Sequence, residues 1–155
     1  MSDVRMIVNR SSLSLGSIGP ATGDIALTLG DGTVFPHPQW NDFIVVVLGA
    51  WASALLRLLQ KESHSERVHF MEGPYAVDIR SVGGGLLHLR ALERPSRQRA
   101  GADVPAVEFA ESVISAAEEV LSACRDAGCW TEDAEKLAGV LPVLRAELIK
   151  RGTTP

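Results

Sequence analysis

The period of apolar and polar positions changes three times along the chain, from strand to helix and back again. Residues 5–9 form a short alternating run, 13–15 a weaker one, and Ile25-Ala-Leu-Thr-Leu29 a clear one with the period of two that a half-buried strand requires. Gly30-Asp31-Gly32 supplies the positive φ angles of a hairpin turn into Thr33-Val-Phe35. Pro36 and Pro38 end that strand, and Pro38 suits the first turn of a helix. The spacing then predicts a helix over about residues 39–61. At about 100° per residue, Asp42, Gly49, Ser53 and Gln60 share one narrow strip, with Arg57 at its border. Trp40, Phe43, Val47, Leu48, Trp51 and Leu55 fall elsewhere on the circumference. A helix this apolar must be covered on several sides.

Past the polar connector Ser63-His-Ser-Glu66, three alternating runs follow at residues 67–71, 75–82 and 86–92. Glu72-Gly-Pro74 and Gly83-Gly-Gly85 separate them, which predicts an antiparallel meander. Its apolar face carries Val68, Phe70, Val77 and Ile79, and its polar face His69, Asp78, Arg80, His88 and Arg90. Residues 94–103 read as a polar, mobile loop. A second helix is predicted over about residues 104–127, with Val107, Ala110, Ile114, Ala117, Leu121 and Cys124 as its buried stripe. Thr131 is placed to cap a third helix, with Glu132 and Asp133 where the helix dipole favours them. Pro142 interrupts the run of Leu137, Leu141, Leu144 and Leu148, predicting a kink or break. The expected architecture is one α+β domain over residues 1–155, an antiparallel sheet packed against one long buried helix, with two C-terminal helices.

Composition adds limits rather than detail. The 155 residues are 46% apolar and 22% charged, ordinary for a soluble domain. The uncharged run over residues 43–56 is shorter than the roughly 18 residues of a membrane span. Asp3, Arg5 and Arg10 leave no room for a signal-peptide core, so a cytoplasmic protein is expected. The net charge of −4 is unevenly spread. Between residues 103 and 135 the carboxylates face Arg125 alone, whereas Arg80, Arg90, Arg94, Arg97 and Arg99 cluster upstream. Glu108, Glu111, Glu118 and Glu119 are therefore either a solvated helix face or a surface that docks a basic protein. An acidic balance argues against nucleic acid as the direct partner.

Candidate chemistry is sparse. Gly83-Gly-Gly85 precedes a strand pattern rather than the helix N-terminus that a phosphate-cradling loop needs. None of His37, His64, His69 and His88 has metal-ligand spacing. His69, Asp78 and His88 share one predicted strand face and are the candidate acid/base group of an enzyme, although a solvated face gives the same alternation. If Gly128 is the left-handed residue after the second helix, Cys124 and Cys129 occupy the two contact positions of a Schellman cap. Tyr75 either covers the edge of the core or offers its ring and hydroxyl to a partner. No catalytic residue, metal or cofactor is assigned on this basis.

Two segments carry a resemblance. Phe35-Pro-x-x-x-Trp40-x-Asp42-Phe43 leads into the apolar helix with Trp51, and Phe70-Met-Glu-Gly-Pro-Tyr75 comes later, before a strand. This layout, with two closing helices, resembles small bacterial immunity proteins encoded beside polymorphic or contact-dependent toxins. The resemblance implies a non-enzymatic binding protein that blocks a cognate toxin, with a basic toxin domain as its partner and no catalytic residue of its own. The other readings are a small bacterial enzyme built on the His69/Asp78/His88 face, and a chaperone or adaptor for a secreted protein.

Overall fold

A computed structural model describes residues 3–16, 19–94 and 96–152. Strands β1 (Arg5–Ser14) and β2 (Thr22–Thr28) pair antiparallel with Val8 opposite Ile25, so the two weak runs at 5–9 and 13–15 belong to one irregular strand. The turn at Gly32, φ 89°, returns the chain as β3 (Val34–Phe35) beside one end of β2. A cis bond joins Phe35 to Pro36, and β4 (Asn41–Asp42) pairs with the other end of β2.

Helix α1 (Ile44–Leu59) begins five residues later than the periodicity implied, because residues 36–43 close the first sheet instead of opening the helix. At 16 residues it is shorter than the long helix expected, and shorter than the other two helices of the described residues. Its side at Val46, Gly49, Ala50 and Ser53 lines an open groove against Lys136 and Val140. Trp51, Val47, Leu48 and Leu55 are buried, and α1 touches β2, β5, α2 and the last helix.

The expected single sheet is two. Beyond α1 lie β5 (Ser65–His69), β6 (Tyr75–Gly83), β7 (Leu86–Glu93) and β8 (Arg97–Pro105), hydrogen-bonded in that order. The first three match the predicted meander closely. The fourth replaces the expected loop at 94–103, with Ala100, Ala102 and Val104 opposite the buried Ala91, Leu89 and Leu87.

Helix α2 (Ala106–Asp126) ends as the cysteine spacing predicts. Gly128 has φ 66°, its N–H donates to the Arg125 carbonyl at 3.0 Å, and the Cys129 N–H donates to the Cys124 carbonyl at 2.9 Å. That is the Schellman hydrogen-bond pattern. Both thiols are free, and burial pushes the Cys124 thiol up from its ordinary pKa. Helix α3 (Glu132–Gly152) starts with the Thr131 hydroxyl accepting the Ala134 N–H at 3.1 Å. It runs through Pro142 without a break.

Candidate functional site

Cross-strand pairing decides the state of the polar face of the second sheet. Arg67 grips Asp78 with two hydrogen bonds of 2.5 and 2.9 Å, and Arg90 approaches the same carboxylate at 3.9 Å. His88 lies across from Asp103 instead, Nδ1 to Oδ1 at 2.6 Å, while His69 stands opposite Ala76. The His69/Asp78/His88 group thus shares a face without sharing bonds. Arg80 has no hydrogen bond or ion pair among the described residues. The Arg67 guanidinium holds the Asp78 carboxyl below its ordinary range, with help from Arg90 and His69 and opposed by burial.

A carboxylate clamped this way is a poor proton acceptor, and it links stability to pH. Its folded pKa is depressed, so its contribution is fully present above the unfolded value of about 3.9 and is lost as pH falls below it. Glu66, lowered chiefly by its bond to Arg57, acts in the same direction. Urea midpoints measured between neutral pH and pH values near 3 are expected to fall less steeply in Asp78→Asn than in the parent. Parallel curves would show that the pair has no net effect on folding.

The two segments that carry the resemblance meet in space. Asp42 is 1% exposed and accepts the Trp40 indole N–H at 3.0 Å, the Phe43 N–H at 2.7 Å and the Glu72 N–H at 3.2 Å. The Trp40 ring stands edge-on to Tyr75 at 5.1 Å, and Tyr75 meets Phe35 at 5.6 Å. His37 Nε2 lies 2.9 Å from the Tyr75 hydroxyl. A Cβ on Gly73, φ 69°, would come within 2.9 Å of the Trp40 ring. These residues form a seam between the sheets. Tyr75, buried and bonded to His37, covers the core edge rather than projecting outward.

The acidic candidates lie on α2, and all four are exposed. At helical spacing, Glu108, Glu111, Glu118 and Glu119 occupy one side of the helix, away from the buried Phe109, Val113, Ala117 and Val120. They are not equivalent. Glu118 is ion-paired with Arg145 of α3, and further along the helix Arg10 of β1 binds Asp126 at 2.7 Å and Arg125 stacks on Trp130. Glu108, Glu111 and Glu119 have no ion pair or hydrogen bond among the described residues. Sequence spacing had no means of finding Arg145 or Arg10, since pairing partners lie on other elements.

The described residues form an α+β protein with two antiparallel sheets and three helices. Compared with protein-family models, curated proteins and solved structures, the chain matches none. No helix among the described residues is long and apolar enough to cross a membrane.

Proposed function

We propose that this is a non-enzymatic binding protein of the immunity type, acting in the cytoplasm by covering a basic protein partner. The observation that carries the reading is the row of uncompensated carboxylates at Glu108, Glu111 and Glu119 on α2. Exposed charges of one sign raise the rate of encounter with a surface of opposite sign, and salt screens the effect. The buried seam supports the reading in a different way. Its aromatic rings and Asp42 are used up in holding the sheets together, as structural residues would be.

The protein encoded by the adjacent reading frame is the partner to test, by surface-immobilised binding across ionic strength. The triple variant Glu108→Lys, Glu111→Lys, Glu119→Lys is expected to slow association about tenfold or more at low salt and to leave the melting temperature unchanged. An association rate equal to the parent's would return these carboxylates to solubilising charge. Failure of the parent chain to bind that product or protect cells from it would overturn the immunity reading itself.

A further inference from the structure

One half-buried cation has no ion pair among the described residues. Arg151, in the last turn of α3, donates from Nη2 to the Leu59 carbonyl at the end of α1, while its Nε is buried without a partner among the described residues. A guanidinium held against protein in this way loses hydration and regains a single neutral hydrogen bond. Its described surroundings supply no carboxylate. Arg151 lines a cavity of about 410 Å³ together with Lys61 and His64, and no Asp or Glu is among its lining residues.

Glycines shape the backbone around this cavity. Gly83, Gly84 and Gly85 adopt φ angles of 85°, 63° and 74°, and a Cβ on any of them would meet no atom within 4 Å. The Ala106 N–H donates to the Gly85 carbonyl at 2.8 Å, which brings the start of α2 to the cavity. Pro105 is the N-cap there and offers no side-chain hydrogen bond, and Glu108 is the acidic residue of the first turn of this 21-residue helix. Leu58, Leu59, Leu86 and Leu87 supply apolar wall beside the cations. The volume falls in the range of about 300–1,000 Å³ typical of small-molecule sites.

We propose that this cavity binds a phosphate group, free or as the head of a small organic ester, with Arg151, Lys61 and His64 as its ligands. The glycine hairpin gives the anion room, and the leucines accept any attached hydrocarbon. The cavity shares no lining residue with the carboxylate ridge at Glu108, Glu111 and Glu119.

Isothermal titration calorimetry of the full chain with inorganic phosphate, hexyl phosphate and hexanol, at constant ionic strength in chloride, tests it. Saturable binding of at least one phosphate is expected, with no heat from hexanol. Tighter binding of hexyl phosphate would assign an organic ester, and equal binding would assign the free anion. Arg151→Gln and Lys61→Met are each expected to weaken binding about tenfold or more. Lys61→Met keeps the test open should Arg151→Gln loosen the end of α1. Absence of saturable binding at millimolar phosphate, or equal affinity in the parent and the folded Lys61→Met variant, would overturn the proposal.

Discussion

Replacing Trp51 by alanine is expected to cost about 3–5 kcal/mol, the usual range for removing a large aromatic from a core. The ring is 0% exposed and meets Phe109 of α2 edge-on at 5.5 Å. Truncation would open a void where α1 and α2 touch, and backbone on both sides is held by other contacts. Against a typical total of about 5–15 kcal/mol, such a loss removes from about a fifth to all of the stability. A second substitution separates volume from polarity. The Trp51 indole N–H has no partner among the described residues, so Trp51→Phe removes an unsatisfied donor along with some bulk. Its cost is expected to be well under half that of Trp51→Ala. Urea denaturation with an unchanged m-value provides both numbers, and a Trp51→Ala midpoint equal to the parent's would mean that the ring is not a core residue.

The second large effect is expected at Asp42. Changing it to alanine leaves the Trp40 indole N–H and the Phe43 and Glu72 amides without their acceptor. Each hydrogen bond to a charged group contributes about 1.5–3 kcal/mol, and buried donors left unpaired add a penalty. The three losses are coupled, so a total of about 3–5 kcal/mol is expected rather than their sum. Asp42→Asn is the informative companion. It keeps the shape but turns an NH2 group toward donors, so it should restore only part of the loss. Full restoration in Asp42→Asn would show that shape, not the acceptor pair, is what the seam needs.

Asp42 also marks where sequence patterning stops being informative. At helical spacing it sat with Gly49, Ser53 and Gln60, and a polar residue on a polar strip called for no further explanation. Its true partners include an amide 30 residues away, which no local period encodes. The meander and the cap around Gly128 were legible because turn glycines and alternation are local signals. Strand β8 was not, since its inward positions 100 and 102 are alanines flanking Gly101, too small and too weakly strand-forming to stand out in a polar stretch. Pro142 misled in the other direction. It lies on the exposed side of α3, where water can satisfy the carbonyl deprived of its donor. Of the carboxylate ridge, position was readable and pairing was not.

The way β1 is finished has a consequence for synthesis. The Met6 N–H is met by the Ser112 hydroxyl at 3.1 Å, and Arg10 reaches Asp126. A nascent chain emerging from the ribosome exposes β1 for more than a hundred residues before α2 arrives to meet those groups. During that interval the strand presents bare amides and carbonyls beside apolar side chains, the condition under which edges recruit neighbouring chains. Crowded expression therefore puts its hazard on β1, and slower initiation on each message is the remedy that follows from the fold.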